Sequence, residues 1–305
     1  MPPVLEYKYK LHGLVLSSWM PLPDASPTGP EDAAADIYFT QGQVPSTLEK
    51  PADEGACWQS APGQVLVWVD GVARFLIEHG KSVTVEPCDT CSPETMSNLF
   101  FATPLAAVLL QRGLICFNAS AIQKNGQTFL ILGAHGSGKS TLAFELATRG
   151  YQFVSDEIVV LVKRQDGTYR AEPGIPVIKL WEHSIQLLGL DASSLEPLRP
   201  GVNKRKSLMP CHDTSDSRPV KKIFLLNEVV EDKLRLEEVN LIQKLPVLLE
   251  FVECGYLMKG MGIQRTVFKE LGHVAAKVEV INILKSKYEF SLGALADAVE
   301  QRIGS

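Results

Sequence analysis

Phe129-Leu-Ile-Leu-Gly133-Ala-His-Gly-Ser-Gly138-Lys139-Ser140-Thr-Leu-Ala-Phe-Glu-Leu-Ala-Thr-Arg149-Gly150 reads as a strand, a glycine-rich turn and a helix. Phe129 to Leu132 is a short apolar run bounded by Gly126 and Gly133, as a buried strand would be. Leu142, Ala143 and Leu146 recur at helical spacing, and Gly150 stands where a C-terminal cap belongs. Between them Gly133, Gly138, Lys139 and Ser140 fill the fixed positions of the phosphate loop G-x-x-x-x-G-K-[ST]. Glycines let successive backbone N–H groups turn inward around phosphate oxygens, where a Cβ would intrude. The helix that follows points its positive end at the same anion. The whole turn, Gly133, Ala134, His135, Gly136, Ser137, Gly138, Lys139, Ser140 and Thr141, is therefore the expected nucleotide-phosphate cradle. Lys139 is a point charge able to reach the β- and γ-phosphates, and the Ser140 hydroxyl is a Mg²⁺ ligand of the kind such loops supply.

The rest of the composition bounds the answer. A chain of 305 residues makes one large or two medium domains with ample core. Hydrophobic residues are 45% and charged residues 21%, ordinary for a globular protein. A net charge of −5 argues against a bulk nucleic-acid binder and against an anionic membrane surface. No apolar run approaches the ~18 residues of a membrane span. The first ten residues lack the apolar core of a signal peptide, so the expected location is cytoplasmic, with reduced thiols. Of six cysteines, Cys88-Asp-Thr-Cys91 is one C-x-x-C. It is either half of a zinc site completed by Cys211 and His212, in a spacing unlike the usual ribbons and fingers, or a pair of free thiols in a loop.

Residues 1–92 read as an antiparallel β-rich module. Tyr7, Tyr9 and Leu11 alternate with polar partners, and Gln64–Val69 and Ala73–Glu78 flank a turn at Asp70-Gly71. Residues 93–305 form the expected second domain. Ser92-Pro93 starts a helix that runs to Arg112-Gly113 and should kink at Pro104. Lys124-Asn-Gly126 joins two strands in a hairpin, giving the loop's own strand an antiparallel neighbour. After the loop helix, Ser155-Asp156-Glu157 places two acids among apolar residues at the expected end of a buried strand. Near a phosphate loop, Mg²⁺ or a proton acceptor is needed there. Lys204-Arg205-Lys206 stands in a turn-rich stretch and is either a solvated face or a group reaching phosphate or an acidic substrate. Beyond the strand at Val220, the C-terminal third reads as helical pieces near 240–253 and 265–276. A last amphipathic helix starts at Ser291.

In Ala119-Ser-Ala-Ile, the loop, Arg149-Gly-Tyr and Ser155-Asp-Glu, the chain resembles the HPr kinase family, whose nucleotide-binding core is similar to that of phosphoenolpyruvate carboxykinases. The short spacing from loop to acidic pair is the most specific part. Leu16-Ser-Ser, Val69-Asp-Gly-Val-Ala-Arg, Gln111-Arg-Gly-Leu, Leu180-Trp and Lys204-Arg-Lys resemble a subgroup similar to kinases of lasso-peptide precursors. The resemblance implies an α/β phosphate-loop core behind the N-terminal module. It implies ATP and Mg²⁺ as cofactors, Asp156 and Lys139 as catalytic residues, and Ser140, Asp156 and Glu157 around the metal. It also implies a serine at the end of a precursor peptide as acceptor. Where the family often has His, this chain has Asn118, which cannot titrate near neutrality but can hydrogen-bond phosphate or substrate. An HPr-type protein serine kinase, a small-molecule kinase and a nucleotide-binding sensor without transferase activity are the alternatives, and a homo-oligomer is compatible with all of them.

Overall fold

The computed structural model describes residues 7–28, 34–89, 91–198, 201–210, 217–231, 234–288 and 291–304. The chain divides into two compact units, Met1–Cys116 with Glu253–Glu270, and Phe117–Val252 with Leu271–Ser305. The division thus falls after Cys116 rather than at residue 92, and a late segment returns to the first unit.

In the first unit β1 (Tyr7–Leu11), β2 (Leu14–Ser18), β3 (Ile37–Gln41), β4 (Asp53–Gly55), β5 (Trp58–Ala61), β6 (Gln64–Val69), β7 (Ala73–Glu78) and β8 (Ser82–Pro87) form one sheet in the order β1-β2-β3-β8-β7-β6-β5-β4. The hairpin β6–β7 closes at Val69↔Ala73 over the three residues Asp70-Gly71-Val72. Alternation is plain in β7, where Ala73, Phe75 and Ile77 are buried. The expectation of an antiparallel module is corrected in one place: β3 runs parallel to both β2 and β8. Pairing partners far apart in sequence leave no trace in a strand's own alternation, so nothing local announced it. The helix expected across Pro104 is two helices, α1 (Pro93–Phe100) and α2 (Thr103–Gln111). Ser92 caps the first, its Oγ accepting from the Thr95 N–H. Pro104 sits in the first turn of the second, where a missing N–H costs nothing, and so starts a helix instead of bending one.

The second unit is a mixed α/β arrangement. Its main sheet is built from β9 (Ile115–Lys124), β10 (Gln127–Gly133), β11 (Gln152–Lys163), β12 (Tyr169–Glu172), β16 (Val220–Val229), β17 (Arg235–Glu238) and β18 (Glu279–Ser286). Their order is β12-β11-β9-β10-β16-β18-β17. A small second sheet has the order β13-β15-β14, with β13 (Val177–Trp181), β14 (Glu196–Pro197) and β15 (Lys204–Leu208). The helices of the unit include α3 (Lys139–Thr148), α4 (Glu182–Leu187), α5 (Leu241–Glu250) and α8 (Leu292–Gly304). The short α6 (Met258–Met261) belongs to the first unit, and α7 (Gln264–Lys277) crosses the division.

β9 and β10 meet at Lys124↔Gln127 around Asn125-Gly126, both with positive φ, as the sequence requires of this turn. On its other side β10 runs parallel to β16, and β16 to β18. The strand β18 is the main departure from the helical C-terminal third that the sequence suggests. Val278 directly follows α7, and Val280, Ile281 and Ile283 are buried, so the apolar run continues a helical one without a turn residue between. Phe129 and Ile131 of β10, Phe224 and Leu226 of β16, and Ile281 and Ile283 of β18 pack with Leu142, Ala143 and Leu146 of α3. Leu295, Ala296 and Val299 of α8 complete this core. Leu130, Leu132, Leu225 and Val280 are buried as well, so the parallel centre is covered on both faces. Arg149, just past α3, bonds Glu145, Asp297 and Glu300 and ties α3 to α8. No helix among the described residues is long and apolar enough to cross a membrane.

Candidate active site

The loop sits between the carboxyl end of β10 and the amino end of α3, at the end of the sheet where β10, β16 and β18 all finish. Its first glycine is demanded by packing. A Cβ on Gly133 would stand 2.7 Å from the Leu226 carbonyl oxygen and 2.6 Å from Ser137 Oγ, inside any tolerable contact. Gly138 has φ of 99°, a conformation costly for a side chain. As the N-cap of α3 it brings no side chain to the first turn, so no capping hydroxyl or carboxylate competes for the helix's amide donors there. Ser137 Oγ is buried without a hydrogen-bond partner, a donor held in the turn. Lys139 is buried, and its ammonium donates to the carbonyls of Gly133 and Ala134 at 2.9 and 3.2 Å, holding the loop around itself. Glycines that the backbone needs, a buried hydroxyl with nothing to bond and a buried ammonium in the turn make a cradle suited to a polyphosphate.

Asp156 stands inside β11, not at a strand end as expected. The strand continues through Lys163 because Glu157 takes φ of 65° and redirects the backbone without ending it. That turn sends the two acids to different partners. Asp156 is 5% exposed. Its Oδ1 accepts from Ser120 Oγ of β9 at 2.5 Å, and both of its oxygens lie 3.0 Å from the Ser140 hydroxyl that donates to them. The Lys179 backbone N–H reaches its Oδ2 at 3.5 Å. Burial raises the Asp156 carboxyl above the ordinary carboxylate range. The Glu157 charge adds to the rise, and the hydrogen bonds from Ser120, Ser140 and Lys179 hold it back. A hydroxyl has one hydrogen and two lone pairs, so Ser140 can donate to Asp156 and still present a lone pair to a cation. The donor set therefore accommodates Mg²⁺, with Ser140 and Asp156 beside it.

Glu157 is not brought to Ser140. Its Oε2 lies 2.5 Å from Lys179 Nζ and its Oε1 3.4 Å from Lys204 Nζ. Burial alone would raise its carboxyl, but the two ammonium charges outweigh burial and lower it. The basic run is likewise divided. It lies on strand β15 rather than in a turn, in register Trp181↔Lys204, Leu180↔Arg205 and Lys179↔Lys206. Strand alternation puts Lys204 and Lys206 on one face and Arg205 on the other. Lys204 reaches Glu157, and Arg205 turns away to donate to the Leu195 carbonyl. Lys206 is buried 3.8 Å from Glu196. Asn118 is held at the loop end of the sheet: its N–H donates to the Phe251 carbonyl, one residue before Ala119 pairs with Leu132. His135 is exposed at the apex of the loop, and the Thr141 hydroxyl donates to Ser184 of α4.

Two participants were missed in the sequence, Ser120 and the buried Lys179. A lysine within the apolar run Val-Ile-Lys-Leu is the signal that could have found the second, because a charge buried in a strand needs a partner. The zinc alternative at Cys88 and Cys91 depended on Cys211 and His212, which lie outside the described residues. Among the described residues no group of three or more His, Cys, Asp or Glu could hold a metal ion.

No family model matches the chain, and no curated protein matches it. Among solved structures it is similar to the HPr(Ser) kinase/phosphatase from Coxiella burnetii, at 17% identity over 61% of this chain and 89% of that one, with a TM-score of 0.30. So low a score gives no residue a role, and the roles considered below rest on the geometry of the loop and of Asp156.

Proposed function

We propose that this site transfers the γ-phosphoryl group of ATP to a hydroxyl, and that the acceptor is a serine at the end of a flexible peptide, of the lasso-precursor kind that the sequence resemblance suggests. One observation carries the proposal. Asp156, a buried carboxyl of raised proton affinity, is hydrogen-bonded to the serine that follows the loop lysine. A carboxyl placed there has the position and the basicity to accept a proton from a hydroxyl aimed at the loop.

In this reading the loop amides and Lys139 hold and neutralise the phosphates, and bound Mg²⁺ would supply further charge neutralisation beside Ser140 and Asp156. The acceptor oxygen forms its bond to the γ-phosphorus as the bond to the β–γ bridging oxygen breaks. ADP leaves with that electron pair, and the hydroxyl proton passes to Asp156. Ser120 keeps the carboxylate oriented by donating to Oδ1. Glu157 keeps Lys179 and Lys204 in place. A chain end reaches a loop-lined site more readily than a serine on a folded surface, at the entropic cost of ordering a few residues.

The test is incubation of the protein with Mg²⁺, ATP and a candidate precursor peptide ending in Ser, read by mass. A gain of one phosphate on the terminal residue, absent when that Ser is changed to Ala, is the expected result. Labelling of a folded carrier protein alone would assign the HPr-type activity, and labelling of a free hydroxy compound alone would assign a small-molecule kinase. Nucleotide binding with no turnover of any acceptor would leave a sensor.

A further inference from the structure

Trp181 closes β13 and is 39% exposed, an unusual position for an indole that has a neighbouring core available. Three contacts hold it beside the loop. The His135 ring, at the loop apex, stands 6.3 Å away and nearly perpendicular at 86°. Lys204 Nζ lies 4.9 Å from the indole centroid, and the same ammonium bonds Glu157. The strand register Trp181↔Lys204 fixes both side chains on one face. His135 and Trp181 thus form an exposed, preorganised aromatic pair next to the phosphate cradle, with the Lys204 cation over one face of the indole. Neither ring is needed by the phosphate chemistry, and leaving an indole in water has a cost that a ligand covering it removes.

We infer that Trp181, braced by His135 and Lys204, is a stacking platform for the purine base of the bound nucleotide, and that it makes the site prefer ATP over bare polyphosphate. The inference rests on the phosphoryl-transfer reading above. Every nucleobase has a π-face, so the platform would favour purines by stacking area and would discriminate little between adenine and guanine. Its neighbours point the same way. Lys204 over the ring shares the Glu157 carboxylate with Lys179, and two ammoniums against one carboxylate leave a net positive charge that suits a ligand carrying negative charge close to its aromatic part.

The experiment is calorimetric titration of the full chain with Mg²⁺-ATP, Mg²⁺-GTP and Mg²⁺-tripolyphosphate, for wild type, Trp181→Ala and Trp181→Phe. Wild type is expected to bind both nucleotides about tenfold or more tighter than tripolyphosphate, the range that one base stack supplies. Trp181→Ala should lose that preference while its tripolyphosphate affinity is unchanged, and Trp181→Phe should recover most of it. The inference is overturned if Trp181→Ala binds ATP as wild type does, or if it loses ATP and tripolyphosphate equally. A raised KM for the acceptor with unchanged ATP affinity overturns it too, by giving the indole to the acceptor. Wild type that binds neither nucleotide nor tripolyphosphate overturns the phosphate-loop reading itself, and the inference with it.

Discussion

The two large sheets of this protein bury their interiors in opposite ways. In the eight-stranded sheet of the first unit, the deepest positions are Phe39, Val65, Phe75, Ile77, Val83 and Val85, at 1% exposure or less, and the one charged residue buried among the described residues of that unit is Asp24. The second unit has an equally apolar core, yet it buries Lys139, Asp156, Glu172, Lys179, Lys206 and Lys285. Burying a charge is costly unless it is paired, and four of these six belong to the loop, the neighbouring strand β11 and the small sheet beside it. Buried charge is thus concentrated in one unit, around the loop, β11 and the small sheet, where partners such as Glu157 for Lys179 and Glu196 for Lys206 offset its cost, and is almost absent from the other.

The contrast can be broken by four substitutions, taken from the largest expected effect. Lys139→Ala should lower transfer by about 10³-fold or more, since it removes the loop's own ammonium from the charge that develops in transfer. The mutant should keep its circular dichroism spectrum, and full turnover in a folded mutant would return the loop to an ordinary strand-to-helix turn. Phe75→Ala is the counterpart in the apolar sheet. It should cost about 3–5 kcal/mol of stability, measured by urea unfolding, and leave nucleotide affinity unaltered in the protein that remains folded. Glu157→Gln leaves Lys179 and Lys204 without their carboxylate. Because Glu157 is about a third exposed, solvent screens part of the loss, and about 1–2 kcal/mol is expected. The lowered Glu157 carboxyl contributes stability that is present above the unfolded carboxyl's range near 4.5 and lost as pH falls through the lower folded value. The gap between wild type and mutant should therefore close in acid.

Asp156→Asn has the smallest effect on stability and the opposite sign. A carboxyl raised by burial binds its proton more tightly when folded, so its contribution is favourable in acid and is lost as pH rises from about 3.8 through the folded value. At neutral pH, asparagine keeps an acceptor for Ser120 and Ser140 without the charge. The melting temperature should rise by about 2–4 °C, as expected when a strained functional group is replaced. A fall in melting temperature would mean that the Asp156 charge is structural.

How much of this could be read from residues alone follows the same division. The stretch from Phe129 to Gly150 was legible because its signals are local: an apolar run, glycines where the backbone turns, helical spacing and a cap. Gly150, with φ of 85° and its N–H on the Ala147 carbonyl, sits where the sequence put it. The hairpin at Asn125-Gly126 was legible for the same reason. The parallel strand β3, the strand β18 and the sorting of Asp156 from Glu157 were not. Parallel pairing is decided by distant partners, and β18 follows α7 without punctuation. The two acids differ by one backbone angle, φ of 65° at Glu157, that no residue type in Ser-Asp-Glu-Ile signals. Of the basic run, composition indicated the charge, and only strand alternation shows that Arg205 leaves the site while Lys204 enters it.

The reading of Asp156 as the proton acceptor beside a working phosphate loop comes down to separating binding from transfer in one variant. ATP affinity by calorimetry and single-turnover phosphoryl transfer should both be measured on Asp156→Asn and on wild type. The account predicts ATP binding within a few-fold of wild type, because loop amides and Lys139 supply it, together with transfer slowed by about 10²–10⁴-fold. Transfer at the wild-type rate, or ATP binding that collapses with it, would contradict the account.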